Sequence, residues 1–174
     1  ENPEYDVESN VLASIRLLDE ARLQGVSRIL FVSSGGTVYG KVDQVPISED
    51  FPTNPLCSYG IGKLAIEKYL NLYGSLHGIV GKTLRLANPY GERQSPATGQ
   101  GAVATFLHRV LTGRPIQVWG DGQVVRDYIY IRDAVRAMRL VIEKDTDETL
   151  FNVGSGSGVS LIDLLGEIRV VTGR

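Results

Sequence analysis

The run Arg28-Ile29-Leu30-Phe31-Val32-Ser33-Ser34 is apolar at four successive positions instead of alternating. A strand with one wet face alternates, whereas a strand covered on both faces does not, and such strands belong to parallel sheets. A parallel strand needs a crossover, usually a helix, before its partner. The flanking segments supply helices. Val7, Val11, Ile15, Leu18 and Ala21 recur with a helical period over residues 7–25, and Gly25 is a natural stop. Residues 59–76 read as a second helix and residues 81–86 as the next strand. Further helices are expected at 103–111, 133–143 and 161–172, and strands at 116–119, 128–131 and 150–153. Ser160 stands where the last helix needs its N-cap, and Asp163 falls in its first turn. Residues 35–55 and 88–100 read as loops. Helix and strand alternate throughout, so the class is α/β with a mainly parallel sheet.

At 174 residues the chain is long enough for a real core. Eighteen Lys and Arg against 20 Asp and Glu leave a net charge of -2, and no basic block stands out. That pattern gives no support to a nucleic-acid partner. No apolar run approaches the roughly 18 residues of a membrane span. The single Cys57 excludes an internal disulfide and fits a reducing cytoplasm. It stands two residues before Tyr59, but no acid or His stands near it to act as its base. His77 and His108 have no spacing partner, so no metal site is expected. The chain opens on Glu1 and closes just past a helix, so both ends are expected to be cut from something longer.

Tyr59 and Lys63 lie four residues apart at the start of the second helix. That spacing puts a phenol and an ammonium on one helical face. A cation beside a phenol stabilises phenolate and is expected to lower its pKa. A phenol so tuned can move a proton on and off a sugar or alcohol hydroxyl.

Five segments occur in order: Ser33-Ser34-Gly35-Gly36-Thr37-Val38-Tyr39-Gly40, Tyr59-Gly60-Ile61-Gly62-Lys63, Leu84-Arg85-Leu86-Ala87-Asn88-Pro89-Tyr90-Gly91, Trp119-Gly120-Asp121-Gly122 and Arg126-Asp127-Tyr128-Ile129-Tyr130. Together they resemble the extended short-chain dehydrogenase/reductases, specifically the NAD-dependent nucleotide-sugar epimerase/dehydratase family. Within it the chain looks most like the UDP-glucose 4-epimerase-like proteins. The resemblance implies a Rossmann-like doubly wound parallel sheet, partial and lacking its first strands, with part of a smaller substrate-binding region. Residues 1–88 would be the C-terminal half of the NAD-binding domain. Residues 89–174 would mix substrate-binding elements with a returning strand and helices.

The resemblance also implies roles. Tyr59 would be the acid/base, and Lys63 would hold the nicotinamide ribose. Asn10, Ser33, Ser34, Leu86 and Ala87, with Tyr59 and Lys63, would face the NAD cofactor. Gly35, Gly36, Thr37, Asn88 and Val103 would face the substrate, with Trp119 near the nucleobase and Arg126 on the diphosphate. Simpler roles remain open: Trp119 as core, Asn88 as a turn residue before Pro89, and Arg126 paired with Asp121 or Asp127.

Two departures matter. The hydroxyl residue expected four positions before Tyr39 is Gly35, so Thr37 is expected to supply the catalytic hydroxyl, with Ser34 next. Dehydratase members carry an Asp-Glu pair where this chain has Gly36 and Thr37, which favours epimerisation. No Gly-rich phosphate turn follows a first strand. Gly154-Ser155-Gly156-Ser157-Gly158 comes late and reads as a turn plus cap. The expected activity is epimerisation at C4 of a UDP-hexose through a transient 4-keto sugar. The alternatives are a reductase, an epimerase at another carbon, and a non-catalytic binding remnant. The sugar, and NAD against NADP, stay open. Family members are often dimers through helix pairs, so residues 7–25 and 59–76 are expected to build a homodimer; covering missing strands is the other role open to exposed apolar residues on these helices.

Overall fold

A computed structural model describes residues 2–42 and 45–174. Residues 43 and 44 of the 35–55 loop lie outside the described residues. The chain divides into two compact units, residues 1–86 with 137–153, and residues 87–136 with 154–174.

The first unit opens with α1 (Pro3–Asp6), a π-helical stretch Val7–Leu12 and α2 (Ala13–Leu23). The helix starts earlier than its apolar period indicates because Asn2 caps it, its Oδ1 accepting from the Tyr5 N–H at 3.2 Å. Then come β1 (Arg28–Ser34), α3 (Ser58–His77), β2 (Val80–Leu86) and β5 (Leu150–Val153). The three strands form a parallel sheet in the order β1-β2-β5. This is a Rossmann-like α/β arrangement, in which each parallel neighbour is reached by a crossover. Ile29 to Val32 are only partly buried, because β1 is an edge strand of this sheet. Leu18 from α2, Leu70 and Tyr73 from α3, and Ile79 form the core, with Ile29 and Phe31 packed against it.

The second unit holds β3 (Asn88–Tyr90), α4 (Ala102–Leu111), β4 (Val125–Tyr130), β6 (Gly158–Ser160) and α6 (Leu161–Thr172). β4 is the middle strand, parallel to β3 and antiparallel to β6. Phe106 of α4 packs with Leu164 and Ile168 of α6. Ser160 does cap α6, its Oγ accepting from the Asp163 N–H at 3.1 Å. The helix α5 (Ile131–Glu143) follows β4, and a 3-10 turn, Pro96–Thr98, precedes α4.

Three local expectations are corrected. Residues 116–119 form no strand; Ile116 packs on the α4–α6 cluster, so its apolarity serves the core. Asn88-Pro89-Tyr90 is a strand and not a loop, because β4 pairs with it despite the turn signal. The end of the Gly-rich stretch forms β6. Among the described residues, no helix is long and apolar enough to cross a membrane.

Candidate active site

In the first unit the site candidates gather where α3 begins. Cys57 caps the helix, its Sγ accepting from the Gly60 N–H at 3.4 Å. A Cβ on Gly60 would lie 2.9 Å from the Thr37 carbonyl oxygen and 3.2 Å from the Thr37 Cβ. Glycine at 60 therefore lets the first turn of α3 close onto the loop after β1. Thr37 is thereby placed beside the residue that follows Tyr59, and its Oγ1 is buried with no hydrogen-bond partner among the described residues. A buried hydroxyl is rarely left unpaired without a reason.

Gly35 lies against β2, its N–H donating to the Leu86 carbonyl at 2.9 Å. A Cβ there would come within 3.1 Å of the Arg85 carbonyl oxygen, so the crowding favours glycine. Ser34 turns the loop, its carbonyl accepting from the N–H groups of Thr37 and Val38, and Gly36 is exposed. Leu86 is buried at the end of β2, with Ala87 next in sequence. Ser33 is 4% exposed, and its hydroxyl donates to Glu67 at 2.5 Å. Its side chain is thus engaged inside the protein. Asn10 lies in the π-helical stretch, its Nδ2 donating to Ser9 Oγ at 3.2 Å. Such π-helical turns are frequent at functional sites, and nothing in the sequence period announces this one.

Lys63 sits one turn along from Tyr59. Its Nζ donates to the Val32 carbonyl at 2.9 Å and lies 4.9 Å from the centre of the Phe31 ring and 5.6 Å from that of Tyr59. An ammonium has three N–H bonds, and Val32 takes one. Tyr59 is 47% exposed, and its hydroxyl has no hydrogen-bond partner among the described residues. The expected lowering of the phenol is not found. Burial first, and the Cys57 thiol second, push the Tyr59 phenol above its ordinary value. Burial also pulls the Lys63 ammonium below its own. Desolvation penalises both charged forms and outweighs the attraction that spacing alone suggests.

In the second unit Asn88, Val103, Trp119 and Arg126 all line one cavity of about 350 Å³, together with Gln94 and Tyr128. Trp119 is 80% exposed, so it is not core. The Arg126 Nη1 donates to the Val125 carbonyl at 2.9 Å, and the side chain forms no ion pair among the described residues. Asn88 is held by its Nδ2, which donates to the Asp127 carbonyl at 2.9 Å. Gln94 was not singled out by the sequence, yet it lines this cavity and its Oε1 is buried without a partner among the described residues.

The Gly-rich turn is filled from within. The Asp127 carboxylate accepts from the Ser155 N–H and Oγ at 2.8 Å each and from the Gly156 N–H at 3.0 Å. A Cβ at Gly154 would stand 2.5 Å from Asp127 Oδ2, so a side chain there would displace the carboxylate from its present place. A carboxylate already holds the donors that a phosphate would need.

A model of the NAD dependent epimerase/dehydratase family matches residues 1–154. The chain belongs to this family. The UDP-glucose 4-epimerase of Mycolicibacterium smegmatis is 40% identical over 164 residues, covering 94% of this chain and 52% of that protein. The dTDP-4-dehydro-6-deoxyglucose reductase of Escherichia coli is 38% identical over 168 residues, covering 97% and 53%. The crystal structure of the Thermotoga maritima UDP-glucose 4-epimerase with UDP-glucose superposes with a TM-score of 0.94 at 38% identity, covering 99% of this chain and 56% of that one. The chain spans about half the length of the curated relatives it matches.

Proposed function

We propose that the complete protein epimerises a UDP-hexose at C4, with NAD as its cofactor and a transient 4-keto sugar between the two epimers. The observation that carries this reading is the Tyr59–Lys63 pair: a phenol whose hydroxyl has no partner among the described residues, one helical turn from an ammonium fixed on the Val32 carbonyl. The residues present fit the nicotinamide-ribose side of the cofactor. Lys63 has N–H donors beyond the one Val32 takes, and Thr37 offers a buried hydroxyl without a partner among the described residues. The Asp127-filled Gly-rich turn does not fit the pyrophosphate.

When bound, NAD supplies a reversible hydride acceptor. Tyr59 takes the proton of the sugar 4-hydroxyl and later returns it, and Lys63 supports the phenolate. Thr37, with Ser34 beside it, binds the oxygen that changes charge. Burial favours the neutral phenol, so the positive charges around it decide how readily it ionises. In the second unit Arg126 holds the diphosphate, Trp119 offers a flat platform to the base, and Asn88 and Val103 line the same cavity.

A homodimer fits the exposed apolar residues Leu17, Leu23, Leu72 and Leu76 on α2 and α3. The unpaired Cys57 fits a cytoplasmic location.

The test is direct. The complete gene product is mixed with UDP-glucose, UDP-galactose and their N-acetyl forms without added reductant, and the anomeric protons are followed by NMR. Interconversion of a C4 pair without net cofactor consumption is the expected result. Tyr59→Phe should lower turnover by about 10²–10⁴-fold while leaving nucleotide-sugar binding intact. Normal turnover in that variant would sink the assignment of Tyr59. The E. coli relative favours a second reading, a nucleotide-sugar reductase. Steady consumption of external NAD(P)H with the sugar would select it.

A further inference from the structure

Glu67 is a buried carboxylate that the chemistry above does not use. It lies four residues after Lys63 and eight after Tyr59, so the three share one face of α3. Glu67 is 4% exposed, as are Ser33 and Arg85, its two partners. The Ser33 hydroxyl donates to Glu67 Oε1 at 2.5 Å. The Arg85 guanidinium donates through Nη2 to Oε2 at 2.7 Å and through Nε to both oxygens at 3.2 and 3.3 Å. Ser33 and Arg85 are directly paired across β1 and β2. One carboxylate on the helix therefore grips two strands at a single row of the sheet.

The grip continues outward. Arg85 lies 4.7 Å from the centre of the Tyr39 ring, and its Nη1 donates to the Glu49 carbonyl at 3.4 Å. The Tyr39 hydroxyl donates to Asn152 Oδ1 at 2.7 Å, and the Asn152 N–H donates to Glu49 Oε1 at 2.7 Å. The loop after β1, all three strands of this sheet and α3 are thus tied to one cluster. Lys63 contacts β1 at Val32, the residue next to Ser33.

We infer that Glu67 is a positioning residue: with Ser33 and Arg85 it fixes the register of α3 on the sheet and so sets where Lys63 and Tyr59 stand. The inference rests on the proposed role of Tyr59. A buried ion pair is weak evidence for net stability, because its desolvation cost can equal its attraction. Register is a job that such a pair can do even where it adds little stability.

Two variants change no net charge in the cluster. Ser33→Ala removes one hydroxyl and leaves the ion pair. The double variant Glu67→Met with Arg85→Met replaces the pair by apolar groups, a change that buried pairs often tolerate. Both are made in the complete gene product. Tyr59 ionisation is read by ultraviolet difference titration, with Tyr59→Phe as the reference. If the cluster positions the pair, the phenol titrates at higher pH in both folded variants, because the ammonium no longer holds its place. Turnover falls by on the order of 10²-fold in the double variant, the scale of about a 1 Å misplacement, with KM for the nucleotide sugar little changed. Ser33→Thr, which keeps the hydroxyl, restores the wild-type titration.

An unchanged titration and an unchanged kcat in the folded double variant would overturn the proposal. Should the double variant not fold, the titration of Ser33→Ala decides alone. Normal turnover in Tyr59→Phe removes the role of Tyr59 but leaves this titration readable, so the two failures are told apart.

Discussion

Arg85 and Arg126 are both strand arginines near an aromatic ring in sequence or space, and the protein treats them oppositely. Arg85 is 4% exposed, bonded to Glu67 through both carboxylate oxygens and stacked on Tyr39. Burial alone would lower its pKa, but the hydrogen bonds to Glu67 and the nearby Tyr39 more than offset that and hold it above the ordinary arginine value. Arg126 is exposed, donates to the carbonyl of its own neighbour Val125, forms no ion pair among the described residues, and lines a cavity with Trp119. The same contrast divides two tyrosines of α3. Tyr73 donates its hydroxyl to Asp19 Oδ1 at 2.7 Å, whereas the Tyr59 hydroxyl has no partner among the described residues. A side chain whose donors are engaged holds the scaffold; one whose donors stay open can meet a ligand.

Each contrast can be broken by experiment. The largest effect is expected at Arg85. Arg85→Met alone strands a buried Glu67 carboxylate, which should cost about 3–5 kcal/mol of stability, measured by urea unfolding of the complete protein. A loss below about 0.5 kcal/mol, the level of an ordinary surface change, would mean that the pair is not structural.

Arg126→Ala should leave the unfolding midpoint within that same small range of about 0.5 kcal/mol. Its effect should appear in UDP-glucose binding, weakened about tenfold to a hundredfold, the worth of roughly 1.4–2.8 kcal/mol for a charge-assisted contact. Titration calorimetry on the complete protein checks this. Unchanged affinity would show that an open arginine here is only surface.

Asp127→Ala tests the filled turn between the two extremes. It removes three donors' acceptor at a partly exposed site, so about 1–2 kcal/mol of stability should be lost. A stability equal to wild type would mean that the Gly154-to-Gly158 turn holds its shape unaided.

The smallest effect concerns Tyr73. Its phenol is raised, first by the hydrogen bond to Asp19 and second by burial. A raised pKa stabilises the fold while the unfolded phenol is still protonated. That contribution is full below the ordinary tyrosine value of about 10 and declines as pH rises from there through the folded value. Tyr73→Phe should therefore show a flatter loss of stability above about pH 10, the ordinary tyrosine range, in urea unfolding at stepped pH. A slope equal to wild type would contradict the assignment.

Much of the frame was legible in the residues. The apolar run at β1 and the helical period of α2 gave elements that the structure places within a few residues. Ser160-capped α6 begins where its signal stands, whereas nothing in the sequence marked Cys57 as the cap of α3. The short strands β3 and β6 were not legible, because three residues carry too little pattern and Pro89 argues for a turn. Residues 116–119 misled for the reverse reason: Ile116 is apolar because α4 and α6 pack on it.

The order of the longer helices and strands, the mainly parallel class and the spacing that sets Tyr59 and Lys63 on one face were determined by the sequence itself, because period and capping act within a few residues. Family membership followed from five motifs kept in order. Tertiary structure alone decided which polar groups are engaged. It turned Ser33 inward to Glu67, buried Arg85, filled the Gly-rich turn with Asp127 and left Trp119, Arg126 and the Tyr59 hydroxyl open. It also set the phenol above its ordinary value where spacing suggested the opposite. Desolvation and hydrogen-bond partnership depend on residues 18 to 113 positions away in the chain, and no local pattern records who those neighbours are.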